Sequence, residues 1–327
     1  MTTIAVLGAG SAGTALAQVA AGNGHSVRLW SAEHAVLREI QEQGTNEKYL
    51  PGMSLHEDLV ACWELSEALS GAEIVIVSVP THAVRTVIRE AAPFLPGRAV
   101  VHNVAKGLEE GTDLRMSEVI GQELADGARI VSMGGPAIAT EFARGVPTAV
   151  ISASAPLDPA RAVQEAFQND HFKMEASSDL VGVELGATFK NVYAIAMGMC
   201  DGLGFGTNTK AFVATLAIDE MNSLITALGG ERRTVYGLAG LGDLLTTGYS
   251  PHSRNRTLGE KLCTDPDWRQ YERTHTVEGV AASRAATRLA SRAGARARLL
   301  DVVRQSLSED EHPGEVLRRF LREFAYE

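Results

Sequence analysis

The sequence predicts an α/β protein, with an N-terminal domain on a mostly parallel sheet and an all-α C-terminal domain. Three observations predict it. Short, near-continuous apolar runs alternate with helix-compatible stretches through the first half of the chain, the pattern of a parallel sheet covered on both faces. The first run leads into a glycine-rich turn, GAGSAG. Beyond about Ser178 the strand signals nearly vanish and helical stretches dominate. A chain of 327 residues also exceeds what one hydrophobic core usually serves. The expected domains are residues 1–177 and 178–327.

The elements follow in order. TIAVLG at 3–8 is a first strand, SAGTALAQVAAGNG at 11–24 a helix, and SVRLW at 26–30 a second strand. Further strands are expected at LVACW (59–63), EIVIVSV (73–79), AVVHNV (99–104), RIVSMG (129–134) and TAVISAS (148–154). In the second domain helices are expected around 179–200, 209–228 and 277–292, with a last set ending in GEVLRRFLREF. LSEDEHPGE, at 307–315, reads as a solvated polar connection. The sequence has no internal repeat and no low-complexity segment.

Gly8, Gly10 and Gly13 match the pattern G-x-G-x-x-G between a strand and a helix. The first glycine permits the tight turn, the second lets backbone approach a pyrophosphate, and the third lets the helix pack on the sheet. The helix N-terminus then offers unpaired N–H groups to an anion. This context makes the N-terminal domain Rossmann-type and implies a bound dinucleotide. Glu33 lies near the acidic position that binds a ribose 2′-hydroxyl. A carboxylate there repels the 2′-phosphate of NADP, which favours NAD, with NADP as a second possibility. Alternatively, Glu33 simply begins the next helix in solvent. Arg28, inside the second strand, is not placed to clamp a phosphate.

Three more segments carry candidate chemistry. SVPTHAVR ends the fourth strand at the ligand-binding edge of the sheet, so Pro80 and Thr81 either close a turn beneath the cofactor or form an ordinary strand-to-helix turn. Lys106, in HNVAKGLEEGT, falls just past another strand. It is a cation for a substrate oxygen or phosphate, or an ordinary surface lysine. Lys190 sits in a long helix with Gly186 and Ala194 one turn away, and Gly182 and Gly198 further out. Small residues there permit close approach of a helix or a ligand. Burial would disfavour the ammonium and suit the lysine to proton transfer; the other reading is a lysine that snorkels from a helix seam. Asp243, in a glycine-rich bend, can orient that lysine or cap a helix. The SRNR cluster, Ser253 to Arg256, can clamp a phosphate at a helix start, although Arg256 can equally be a solvated charge.

Composition narrows the classes. The formal net charge of −10 argues against a nucleic-acid binder. Against that field, local clusters of Lys and Arg are informative. Cys62, Cys200 and Cys263 are scattered, as expected of reduced thiols, and neither they nor the nine histidines show metal-ligand spacing, so no metal is expected. MTTIAVLGAG lacks a charged leader with a cleavable apolar core, and no apolar run approaches the ~20 residues that span a bilayer. A soluble, cytoplasmic protein with no membrane partner is expected.

These strings together resemble soluble NAD(P)-dependent glycerol-3-phosphate dehydrogenases. GAGSAGTALA, NEKYLPG, SVPTHAVR, AKGLEEGT, GGPAIATEFARGVPTAV, VELGATFKNVYAIAMGMCDGLGFGTNTKA, GLAGLGDLLTT and SRNRTLGE occur in family order, over about the first 280 residues. The KN…CDGLGFGTNTKA and SRNR pieces are specific; the glycine fingerprint is shared with many dehydrogenases. The resemblance implies reversible hydride transfer between nicotinamide and C2 of dihydroxyacetone phosphate, giving sn-glycerol 3-phosphate for phospholipid synthesis, by a homodimer. It implies that Lys190 is the catalytic base, that Lys106 contacts substrate beside the nicotinamide, and that Asp243, Ser253, Arg254 and Asn255 belong to the substrate site. Asn191 and Gly135 fall at substrate positions too. Ser11, Ala12, Pro80, Ala139 and Glu278 fall at cofactor positions, and Arg254 is also near the cofactor. The chain departs from the family at Ala12, where an aromatic is usual, at Ala137, where Ser or Thr is usual, and around Ala32, where a basic residue is often found.

Two competing readings share this architecture. One is a sibling dehydrogenase acting on another phosphorylated hydroxy compound. The other is a scaffold that senses NAD(H) without turnover, motivated by the side chains lost at positions 12 and 137. A thiol intermediate would need Cys200, which reads better as a buried structural thiol.

Overall fold

The computed structural model describes residues 1–308 and 311–324. The chain forms two compact units, Met1–Leu180 and Val181–Glu327.

The first unit is built on one eight-stranded sheet. Its strands are β1 (Thr3–Leu7), β2 (Ser26–Trp30), β3 (Leu59–Cys62), β4 (Ile74–Val77), β5 (Val100–Asn103), β6 (Arg129–Gly134), β7 (Thr148–Ala153) and β8 (Phe172–Ser177). They lie in the order β3-β2-β1-β4-β5-β6-β7-β8. The central strands β4 and β5 are buried at every residue, because helices cover both faces of a parallel sheet. All pairings are parallel except β6 with β7, which run antiparallel through Ser132↔Ala153 to Gly134↔Ile151. The strand order reverses between β1 and β4, where ligands of open α/β sheets bind.

The sequence does not announce β8. Its residues, FKMEAS, alternate buried Phe172 and Met174 with exposed Lys173 and Glu175. An edge strand buries one face only, so it lacks the continuous apolar run that marks the central strands.

One titratable group lies wholly inside this core. His102 on β5 is fully buried, with Nε2 3.1 Å from Ser152 Oγ. Burial pushes the imidazole down to about 3, so it is neutral.

The second unit holds no strand among the described residues. Its main helices are Leu180–Gly202, Thr207–Ala227, Asp243–Tyr249, Arg254–Thr264, Glu278–Ala293, Arg298–Ser306 and Pro313–Glu323. Of the connection expected at 307–315, residues 309 and 310 lie outside the described residues, and a helix resumes at Pro313. Leu180–Gly202 is the axis of the unit, with every residue from Gly182 to Cys200 buried. A helix apolar all round needs partners on every side, and here glycines let backbone serve as partner. A Cβ on Gly198 would fall 1.9 Å from Arg256 O, and one on Gly259 would fall 2.0 Å from Ile195 O. The helices Leu180–Gly202 and Arg254–Thr264 therefore touch main chain to main chain. One turn before Lys190, a Cβ on Gly186 would lie 2.9 Å from Ala239 O, in the π-type turn Leu238–Gly242. The half-buried Glu220 carboxylate accepts from Leu299 N (2.6 Å), Leu300 N (3.1 Å) and Tyr193 Oη (3.2 Å). That contact ties the axis helix to the start of Arg298–Ser306. Burial pushes Glu220 up to about 7.

The seam makes a prediction. Gly198→Ala forces the two helices apart and should cost about 1–3 kcal/mol of stability, the range for overpacking a dense core. Urea unfolding measures it; an unchanged midpoint and slope would contradict the packing.

Candidate active site

In the first unit the fingerprint residues occupy the switch point. Gly8 follows β1 with φ +115°, and a Cβ there would lie 2.4 Å from Ser78 O, just past β4. Only glycine tolerates both the backbone conformation and the approach. Gly10 precedes the helix Ser11–Gly22 and provides no side-chain cap. Nothing lies within 4 Å of where its Cβ would be. The first turn of this twelve-residue helix thus has no side-chain cap, which fits a pyrophosphate. A Cβ on Gly13 would meet Gly8 O at 2.0 Å, which fixes the helix tightly on the turn. Ser11 Oγ donates to Tyr49 O (2.9 Å), and Ala12 is half-buried beside it. Pro80 is exposed and leads directly into the helix Thr81–Ala91.

Glu33 sits at the start of the helix His34–Gln43, on the exposed rim beyond β2. Its carboxylate accepts from Lys48 Nζ and Tyr49 Oη. These hydrogen bonds, Lys48 first, hold it below the usual carboxylate range. Arg28 is spent on main-chain carbonyls, Ser70 O and Glu67 O. Lys106, half-buried beyond β5, donates to Gly135 O at 2.9 Å. Gly135, at φ +100°, follows β6. The sheet therefore brings together two candidates 29 positions apart. Ala139 opens the short helix Ala139–Phe142 and, with Ala137, packs against the main core of the unit.

In the second unit Lys190 does not snorkel. It is 7% exposed. Its Nζ lies 3.0 Å from Asp243 Oδ1 and donates to Thr247 Oγ1 at 2.7 Å. Asp243 and Thr247 are one turn apart on Asp243–Tyr249, and the threonine hydroxyl lies 3.4 Å from Asp243 Oδ1. Burial disfavours the ammonium while the adjacent carboxylate favours it. Asp243 is 2% exposed, so each charge depends on the other.

Beside this cluster runs an amide chain. Asn191 Nδ2 donates to Glu278 Oε2 (2.9 Å), Asn255 Nδ2 donates to Asn191 Oδ1 (2.8 Å), and Gly279 N donates to Asn255 Oδ1 (2.8 Å). Three candidates from separate segments thus share one network. Ser253 caps Arg254–Thr264, its hydroxyl accepting from Arg256 N at 3.2 Å. The two arginines of SRNR divide. Arg256 Nε donates to Asp201 Oδ2 at 2.6 Å, and Lys210 Nζ lies 2.7 Å from the same oxygen. Arg256 is neither solvated nor available. Arg254 is exposed, and among the described residues its guanidinium has no hydrogen bond or ion pair.

Sequence reasoning missed Thr247, Asp201 and Lys210. Thr247 was legible in principle, four residues after Asp243 and so on the same helix face. The cysteines offer no nucleophile: burial pushes Cys200 up to about 12, and Cys62 and Cys263 up to about 11.

A family model described as NAD-dependent glycerol-3-phosphate dehydrogenase N-terminus matches residues 3–160. Its C-terminus counterpart matches residues 179–318. The chain is 41% identical over 321 residues to a glycerol-3-phosphate dehydrogenase (NAD(P)+) of Geobacillus thermodenitrificans, covering 97% of this chain and 94% of the relative. It is 40% identical over 321 residues to the one of Moorella thermoacetica, covering 98% and 95%. The crystal structure of glycerol-3-phosphate dehydrogenase from Coxiella burnetii superposes with a TM-score of 0.91 at 35% identity, over 98% of each chain. The chain belongs to the NAD-dependent glycerol-3-phosphate dehydrogenase family.

The Lys190 cluster predicts a stability effect. Thr247→Val leaves a buried ammonium donor without its hydroxyl acceptor and should cost about 1–3 kcal/mol in chemical denaturation. Thr247→Ser should restore most of it. A loss in Thr247→Ser with none in Thr247→Val would show that the methyl group, not the hydroxyl, matters.

Proposed function

We propose that Lys190 moves the proton, and Arg254 holds the phosphate, in the reversible conversion of dihydroxyacetone phosphate to sn-glycerol 3-phosphate. The protein is an NAD(P)-dependent glycerol-3-phosphate dehydrogenase. The observation that carries the proposal is the buried cluster of Lys190, Asp243 and Thr247.

Reduction of a ketone puts a hydride on carbon and a proton on oxygen. The nicotinamide, when bound, supplies the hydride. Lys190 gives its Nζ proton to the C2 oxygen as negative charge develops there, and takes it back in the reverse reaction. Asp243 favours the charged lysine, so it keeps the proton in place until the oxygen demands it. Thr247 fixes the direction of Nζ. Lys106, held by Gly135 O, adds a second positive charge for the developing alkoxide.

Arg254 offers the phosphate an exposed guanidinium, and Ser253 and Asn255 flank it at the helix start. This remote grip orients the carbonyl. Asn191 positions Asn255 through their 2.8 Å hydrogen bond. For the cofactor, Gly8, Gly10, Ser11, Ala12 and Gly13 take the pyrophosphate and Glu33 the adenosine ribose. Pro80, Lys106 and Ala139, past the ends of β4, β5 and β6, are further cofactor contacts, as are Arg254 and Glu278. In this reading residues 1–177 bind the dinucleotide and residues 178–327 bind substrate. The physiological direction is reduction in the cytoplasm, by a homodimer, supplying glycerol 3-phosphate for phospholipid synthesis. No helix among the described residues is long and apolar enough to cross a membrane.

The assay is dihydroxyacetone-phosphate-dependent oxidation of NADH, followed at the nicotinamide absorbance. Lys190→Ala should lower kcat by about 10²–10⁴, the range for losing a general acid, while NADH still binds. Full activity would remove Lys190 from the chemistry. Arg254→Ala should raise KM for the ketone by about 10–100-fold, as expected for a lost charge-assisted hydrogen bond. A change in cofactor affinity alone would refute its phosphate role.

A further inference from the structure

The rim beyond β2 carries a charge arrangement that the dinucleotide fingerprint does not require. Glycine turns and a helix N-terminus bind the pyrophosphate of NADH and NADPH alike. Discrimination falls to whatever faces the adenosine ribose, where a carboxylate suits the 2′-hydroxyl and a cation suits the 2′-phosphate. Here Glu33 supplies the carboxylate and Lys48 lies bonded to it. Both side chains are open to solvent, with Glu33 46% and Lys48 57% exposed.

The rest of the surroundings single out Lys48. Arg28 is committed to carbonyl oxygens of residues 67 and 70. The His34 ring packs edge-on against Trp63, at 5.3 Å between centroids. Arg38 stands more than a turn further along the helix from Glu33. The two positions between β2 and Glu33 are Ser31 and Ala32, neither of them basic.

Lys48 is also held near the dinucleotide turn. Its loop is pinned there by Asn46, whose Nδ2 donates to Ala9 O and Thr14 Oγ1, both at 2.9 Å. Ser11 Oγ donates to Tyr49 O at 2.9 Å. The residues on either side of the 47–48 pair therefore grip the fingerprint itself. Lys48 is carried on a fixed loop but ends in a hydrated ammonium on a flexible stem.

We propose that Lys48 is the residue that admits the 2′-phosphate of NADP, so that the Glu33–Lys48 pair makes the adenosine ribose site serve either cofactor. With NADH, Glu33 accepts the ribose 2′-hydroxyl and Lys48 remains its counter-ion. With NADPH, the ammonium turns from the carboxylate to the phosphate, which carries more negative charge and more acceptor oxygens. An exposed ion pair contributes little to stability, so leaving it costs little. Tyr49 Oη, the other donor on Glu33, keeps the carboxylate satisfied after Lys48 has left. This assignment rests on the dehydrogenase reading above.

The test is equilibrium titration of the full-length protein with NADH and with NADPH, read by nicotinamide fluorescence, without substrate. Lys48→Ala should lower the NADPH-to-NADH affinity ratio by about tenfold or more, the loss expected for one charge-assisted contact. Lys48→Arg should hold the ratio near that of the unaltered protein. Glu33→Gln should raise it, because the repulsive carboxylate is gone and the lysine is released. High salt should shrink these differences. An unchanged ratio in Lys48→Ala, with both cofactors still bound, would overturn the proposal alone. Failure of the unaltered protein to bind either cofactor would overturn the dehydrogenase reading and this proposal with it.

Discussion

The second unit depends on main chain meeting main chain along the helix Leu180–Gly202. At Gly198 and Gly259 there is no room for a Cβ, since the opposing carbonyl would lie about 2 Å away. At Gly186 the π-type turn Leu238–Gly242 presses on the same helix. These contacts bring the start of Asp243–Tyr249 and the start of Arg254–Thr264 onto the axis helix. The short side chains Asp243, Thr247 and Asn255 then reach Lys190 and Asn191 without any need for length. A bulkier seam would hold the helices apart and leave a buried ammonium with no counter-ion, a strongly unfavourable state.

The same architecture sorts the cations of an acidic protein. Arg256 and Lys210 share Asp201 and so belong to the scaffold. Lys190 is paired but enclosed, which suits proton transfer. Arg254, at the exposed helix start, has no hydrogen bond or ion pair among the described residues. In the first unit Lys106 donates to the Gly135 carbonyl just past β6. A net charge of −10 is thus compatible with anionic ligands, because position and pairing, rather than number, decide which cations can bind them.

Much of this was legible in the sequence, for physical reasons. The central strands are buried on both faces and announce themselves as apolar runs. The fingerprint glycines are readable because their chemistry is local, confined to one turn. The strip of small residues around Lys190 marks close approach but does not say of what; that Arg256 O and Ala239 O fill it is a tertiary fact. β8 escaped because its one buried face makes alternation without an apolar run. The reversal of direction between β6 and β7 has no sequence signal in the strands themselves. The division of labour between Arg254 and Arg256 was hidden too. The two stand on different sides of one helix start, and Asp201 lies 55 positions from Arg256. The bond from Lys48 to Glu33 spans 15 positions through a loop whose course Asn46 and Ser11 fix.

In this mechanism Lys190 and Asp243 act as one unit. A double-mutant cycle on kcat tests it most directly, with Lys190→Met, Asp243→Asn and the double variant, all assayed for dihydroxyacetone-phosphate-dependent NADH oxidation. Strong non-additivity is expected: Asp243→Asn lowers kcat in the unaltered protein and does almost nothing once Lys190 is gone. Losses that simply multiply would contradict it, because they would mean that Asp243 serves the reaction independently of the lysine it faces.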